Sequence, residues 1–208
     1  RPAYDDIIQG VSGMADMQGG REGPPQFINA AVCDKICSQV AVHAIIAALF
    51  SRLKTGKGQL VEVPMYQSMV GFNLLEHQPR ETFEPPLGPA GYERSMVEYR
   101  RPFATTDGYV CVLPYNTKQW QSFLVAMGRE DLRNDVRVTD PKTRSEKIGE
   151  LYELVAALVR EWKTDALLAA LEKADVPYGK ATPMGELFDD LHLQACLLYT
   201  SPSPRDRG

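Results

Sequence analysis

From Ile36 to Thr55 the sequence is committed to one long helix. Ile36, Val40, Ala44, Ala47 and Phe50 recur at helical spacing. Cys37, Ile45 and Leu49 widen that stripe into a broad face expected to be buried. Arg52 and Lys54 fall in the last turn, where cations complement the helix dipole, and Gly56 is placed to end the helix in the left-handed conformation. Leu60 to Val63 then reads as a short strand closed by Pro64.

Asp34 stands just before the first periodic residue, the usual N-cap place. One reading is a helix cap, for which Asp is among the preferred residues and contributes about 1 kcal/mol. The other is a nucleophilic carboxylate. A carboxylate can attack a thioester to give a mixed anhydride and so divide acyl transfer into easier steps. A helix N-terminus favours the ionised form and offers N–H groups to developing negative charge. The two readings are compatible, and the residues alone leave both open.

The stretch resembles the class III CoA-transferases, the CaiB–BaiF family. The matching features are Asp34 ahead of the helix, the turn Lys54-Thr55-Gly56-Lys57-Gly58-Gln59, Met65 after the strand, and the opening Arg1-Pro2-Ala3-Tyr4-Asp5-Asp6-Ile7-Ile8-Gln9. The resemblance runs over nearly all of residues 1–195 and marks Asp34 as the catalytic residue. It places Tyr4 close to bound CoA and Met65 near the catalytic Asp. In the related α-methylacyl-CoA racemases a His stands where Tyr4 is and acts as a base. A phenol with pKa near 10 is a poor base at neutral pH, which favours transfer over racemisation. The glycine run that covers the Asp in the formyl-CoA:oxalate members has no counterpart here.

Other motifs carry less. The KTGKGQ turn closes a helix instead of opening one, so it is no Walker loop, and GGREGPP at Gly19–Pro25 is no dinucleotide fingerprint. A GxSxG elbow is absent. His43 and His77 have no partner at metal-ligand spacing. The net charge of −4 points to neither nucleic acid nor an anionic membrane, and the apolar run Val40 to Phe50 is too short to span a bilayer. Cys33, Cys37, Cys111 and Cys196 show neither zinc-site nor CxxC spacing, which fits a reduced, cytoplasmic protein. The chain opens without Met, within what resembles the middle of a longer enzyme. Residues 196–208 look like a translated transposase sequencing adapter and are set aside.

Beyond Gln78 the pattern changes. A helix over Tyr66 to Leu75 gives way to a Pro-, Gly- and charge-rich stretch, read as a linker over 81–101. Asp107-Gly108, flanked by Phe103-Ala104-Thr105-Thr106 and Tyr109 to Leu113, predicts a hairpin with a type I′ turn. Next comes a helix through Trp120, Phe123, Leu124 and Met127, ended by Gly128. A second runs from about Thr143 to Trp162, and a third starts from Thr164 as N-cap through Leu167, Leu168 and Leu171. Val176-Pro177-Tyr178-Gly179 is expected to break the chain, and Thr182-Pro183 to open a last short helix.

The resemblance implies an α/β fold. Residues 1–80 would form part of a Rossmann-like large domain, 102–185 a smaller α+β domain, and 186–195 a return toward the large one. It implies a transferase that moves CoA from an acyl-CoA donor to a small carboxylic acid through aspartyl anhydride and aspartyl–CoA thioester intermediates. CoA would serve as substrate, with no permanently bound cofactor and no metal, in an interlocked homodimer when full length. A racemase-like isomerase, or a non-catalytic fragment in which Asp34 only caps a helix, are the alternatives. The fragment alone is expected to be inactive.

Overall fold

The structure, a computed structural model, describes residues 3–196. The chain divides into two compact units, Arg1–Arg100 and Arg101–Gly208.

Unit 1 is helical. Helices α1 (Asp5–Val11) and α2 (Met14–Gly19) are joined through Gly13, whose φ of 82° is a left-handed turn open to glycine. They are followed by α3 (Val32–Thr55), α4 (Met65–His77) and the single turn α5 (Glu93–Met96). The core is Ile8 and Met14 from the first two helices, Cys33 and Cys37 from the start of α3, and Met69 from α4. Ile28, Val32, Ile36 and Met65 pack against its edge. Buried Asn73 ties α4 to the α1–α2 junction by donating to the Ser12 carbonyl at 2.9 Å.

Three expectations are revised here. First, α3 begins at Val32, so Asp34 lies inside its first turn and is not the N-cap; that place belongs to Ala31, which has no side-chain cap. Second, the apolar face of α3 is buried only at its beginning. Ile45, Leu49 and Phe50 are about half exposed or more, at 49%, 50% and 59%, and the buried core shared with α1, α2 and α4 takes only Cys33 and Cys37 from α3. The helix runs 24 residues, so by length and composition it is long and apolar enough to cross a membrane. The run Val40 to Phe50 had understated it. Third, Leu60 to Val63 form no strand. Residues 57–64 carry no regular secondary structure: a strand needs a hydrogen-bonded neighbour, and the sheet of the described residues lies in unit 2. The end of α3 is as read: Gly56 adopts φ 71° and donates its N–H to the Arg52 carbonyl at 2.8 Å.

The Pro- and Gly-rich stretch after α4 folds within unit 1. Arg21 and Arg80 both reach Glu93 Oε1 at 3.0 Å, and Arg21 also donates to the Ala90 carbonyl at 3.0 Å.

Unit 2 is a three-stranded antiparallel sheet in the order β1-β2-β3, with helices around it. Its strands are β1 (Phe103–Ala104), β2 (Tyr109–Val112) and β3 (Tyr178–Lys180). Its helices are α6 (Thr117–Ala126), α7 (Val136–Thr139), α8 (Pro141–Glu146), α9 (Ile148–Val159), α10 (Thr164–Lys173) and α11 (Leu191–Ala195). Trp120, Phe123 and Leu124 of α6, Leu151 and Val155 of α9, and Leu167 and Leu171 of α10 are buried to 1% exposure or less. Each contributes about 1.5–3 kcal/mol of transfer free energy. The Trp120 and Phe123 rings meet edge to face at 6.2 Å.

The helix read from Thr143 to Trp162 is two helices broken at Lys147. Asp140, with Pro141 after it, starts α8 by accepting the Thr143 N–H at 2.7 Å. The hairpin is present but its turn is not type I′. Ala104 pairs with Tyr109, which leaves the four residues from Thr105 to Gly108 in the loop. Asp107 faces away to accept both the N–H and the hydroxyl of Thr164, at 2.8 and 2.7 Å. Thr164 is therefore the first residue of α10 and not its cap. Tyr178–Lys180, read only as a break, completes the sheet against β2.

Candidate active site

The first turn of α3 presents Asp34 on the surface of unit 1. Among the described residues its carboxylate takes no hydrogen bond, while its backbone is held twice. Its carbonyl accepts from Ser38 Oγ at 2.7 Å, and its N–H donates to Asp5 Oδ2 at 3.0 Å.

That second bond supplies what Ala31 cannot. The first four N–H groups of a helix have no partner within it. Asp5, from the first turn of α1, reaches over to accept at Asp34, and the backbone of Cys33 also hydrogen-bonds to it. Burial acts to raise the Asp5 pKa. The bonds from Gln9 and from the backbone of Asp34 and Cys33, with the charge of Lys35, outweigh it and hold the carboxyl below its ordinary value.

Gln9 holds Asp5 in turn. It is fully buried. Its Nε2 donates to Asp5 Oδ1 at 2.7 Å and approaches the carbonyls of Ile28 and Ala30 at 3.3 Å, while its Oε1 accepts the Ile28 N–H at 2.8 Å. The amide orientation follows from these partners: an oxygen must face the Ile28 N–H and the NH₂ must face the carboxylate. Neither Asp5 nor Gln9 was singled out in the sequence. Asp5 and Asp6 in the first turn of α1 also suit the dipole of their own helix, which masks the second role of Asp5. The signal that could have found them is the pair of polar residues at i and i+4 beside buried Ile8, on the inner side of a short helix.

The structure places the expected site residues as follows. Tyr4 precedes Asp5 and is 72% exposed. Met65 is half-buried at the start of α4, and its carbonyl lies 3.8 Å from the Sγ of Cys37, a residue on α3 one turn beyond Asp34. Cys33 and Cys37 sit in the core beneath the first turn. Burial, with the neighbouring carboxylates of Asp5 and Asp34, pushes the Cys33 thiol up to about 11 and raises Cys37 for the same reasons. Both thiols are therefore protonated at neutral pH. Among the described residues no group of three His, Cys, Asp or Glu side chains is placed to hold a metal.

Comparison with known proteins identifies the family of the chain. The CoA-transferase family III matches residues 1–201, which extends over the first residues of the segment read as an adapter; residues 197–208 lie outside the described ones. A probable fatty acyl-CoA transferase of Mycobacterium tuberculosis is 31% identical over 176 residues, covering 79% of this chain and 45% of its own. A succinyl-CoA:mesaconate CoA-transferase of Haloarcula hispanica is 28% identical over 194 residues, covering 93% of this chain and 48% of its own. A crystal structure of a CaiB/BaiF family protein from Brucella suis superposes with a TM-score of 0.72 at 28% identity, over 94% of this chain and 52% of that one. The chain thus spans about half the length of the relatives it matches. It belongs to CoA-transferase family III, the CaiB–BaiF type.

Proposed function

We propose that the complete polypeptide carrying this sequence transfers CoA from an acyl-CoA to a small carboxylic acid, with Asp34 as nucleophile. The observation that carries the reading is the Asp34 carboxylate: exposed, without a hydrogen-bond partner among the described residues, on a first turn whose backbone is fixed. Relatives named for succinyl-CoA with mesaconate, and for succinate with glutarate, give the class of acids.

The cycle balances with no redox step. An Asp34 oxygen attacks the thioester carbonyl, a C–O bond forms, the C–S bond breaks, and CoA leaves as thiolate. The thiolate attacks the Asp34 carbonyl carbon, forming the aspartyl–CoA thioester and expelling the donor acid as carboxylate. The acceptor carboxylate then attacks that thioester and releases the thiolate again, which leaves a second anhydride. Attack of the thiolate on the acceptor's carbonyl gives the new acyl-CoA and restores the Asp34 carboxylate. CoA is the group carrier and no proton is gained or lost overall.

Tyr4 and Met65 are assigned to the CoA-binding surroundings of Asp34. Unit 1 is read as part of a Rossmann-like large domain. Its half-exposed α3, followed by the stretch 57–64 with no regular structure, supports this reading: a layered domain would cover that helix with neighbouring layers. In the complete protein we expect an interlocked homodimer in the cytoplasm. The test is to incubate that protein with a panel of acyl-CoAs beginning with succinyl-CoA, add hydroxylamine, and search by peptide mass spectrometry for a hydroxamate at Asp34. An acyl-CoA-dependent adduct supports the reading. An unmodified Asp34 in protein that binds CoA overturns it in favour of a non-catalytic or isomerase role.

A further inference from the structure

We infer that Asp5, latched by Gln9, is the positioning residue for Asp34: it fixes where α3 begins and occupies the amides there, so that the Asp34 carboxylate is aimed outward for attack and is not drawn back to cap its own turn. The inference rests on the aspartyl-nucleophile reading above.

The geometry argues it in three steps. Helix α3 has no cap of its own, since Ala31 offers no side-chain oxygen. A first turn without a cap frays, and Asp34 would move with it. Asp5 accepts the Asp34 N–H itself, so the bond acts on the residue whose side chain must be placed. A misplacement of about 1 Å in a reacting group costs on the order of 10²-fold in rate.

The latch behind Asp5 is stiff. Asp5 is 9% exposed and Gln9 is not exposed at all. Gln9 joins α1 to the strap at Ile28 and Ala30 that feeds α3, and to the Asp5 carboxylate. Helix, strap and carboxylate therefore shift together or not at all. Asp5 satisfies the amides of Asp34 and Cys33, so the Asp34 side chain is not drawn back to cap its own turn. Asp5 forms no bond to substrate in this scheme; it acts through Asp34.

The test uses single-turnover acylation of Asp34 in the complete transferase, trapped with hydroxylamine over time. Asp5→Ala is expected to lower the first-order rate constant by about 10–100-fold with KM for the acyl-CoA changed less than about threefold. Asp5→Glu, which keeps two acceptor oxygens and the charge, is expected to recover to within about tenfold of wild type. Asp5→Asn keeps the shape but sets a second amide against Gln9 Nε2, and is expected to lose about tenfold even if Asp5→Ala does not fold. A purely structural role would lower the labelled fraction and leave the rate constant alone, and that result overturns the proposal. So does an unchanged rate in Asp5→Ala, in Asp5→Asn where Asp5→Ala does not fold, or an Asp5→Glu no better than Asp5→Ala. No adduct in the wild type sinks the nucleophile reading and this inference with it, whereas a wild-type adduct with unaltered variants sinks this inference alone.

Discussion

The Asp5 carboxylate accepts the backbone N–H of Asp34 at 3.0 Å, across 29 residues of sequence. One acid fixes the main chain of another, and only the second is exposed. The consequences separate into effects on Asp34, on its neighbours and on folding.

Replacing Asp34 with Asn tests nucleophile against structure. Its side chain makes no hydrogen bond among the described residues, so the substitution is expected to change stability by no more than about 1 kcal/mol, mostly through the helix dipole. Turnover by the complete transferase is expected to fall by roughly 10³-fold or more, because the amide cannot form the anhydride. Steady-state kinetics beside a thermal melt decide it, and activity within tenfold of wild type would rule out covalent catalysis at this position.

The thiols beneath the site are expected to be inert. Cys33 is fully buried with its pKa pushed up to about 11, so at pH 8 only about one molecule in a thousand carries the thiolate. Cys111 is exposed on β2. Iodoacetamide at pH 8 should label Cys111 at least ~10-fold faster than Cys33 or Cys37, as read by peptide mass spectrometry of the native protein. Equal rates would mean that the core beneath Asp34 opens readily.

Acid should loosen the start of α3. The Asp5 carboxyl titrates below its ordinary value in the folded chain, so its contribution is complete above the unfolded-state pKa of about 4 and fades as pH falls through the folded value. The protein should therefore lose stability on acidification below about pH 4, and Asp5→Asn should flatten that limb while lowering stability at neutral pH. Chemical denaturation at a series of pH values measures both. Parallel acid limbs in wild type and variant would remove Asp5 from the account.

In unit 2 the same device holds α10. Asp107→Ala takes the acceptor from both the N–H and the hydroxyl of Thr164, and should lower the Tm and speed amide exchange at Thr164. Asp107→Asn should retain most of the stability, since Asn also caps helices well. If Ala and Asn lower the Tm equally, charge and not acceptor geometry is the cause.

Sequence and structure agree where a signal is local. The stripes through Trp120, Phe123 and Leu124 and through Leu167 and Leu171 are core, and Gly56 and Gly128 take the left-handed conformation that stops their helices. Apart from the break at Lys147, the disagreements are mostly non-local. Asp34 and Thr164 resemble caps in sequence, yet each helix is capped from outside by an acid far upstream. Tyr178–Lys180 is a strand because β2 lies beside it, and Leu60 to Val63 is none because nothing described does. Periodicity reports what a segment wants to bury; it carries no record of which distant group will take its hydrogen bonds. The candidate site was half legible for that reason. Asp34 was marked by the family resemblance, but Asp5 and Gln9, which hold its backbone, were not.

In both units the acid comes before the helix it starts: Asp5 before α3, and Asp107 before α10 by 57 residues. A chain grows from its N-terminus, and its segments leave the ribosome in that order. By the time the amides of Cys33 and Asp34 emerge, the carboxylate that will receive them already exists, together with the Gln9 that holds it. The acceptor for the amides that begin the long helix is thus made before the helix itself.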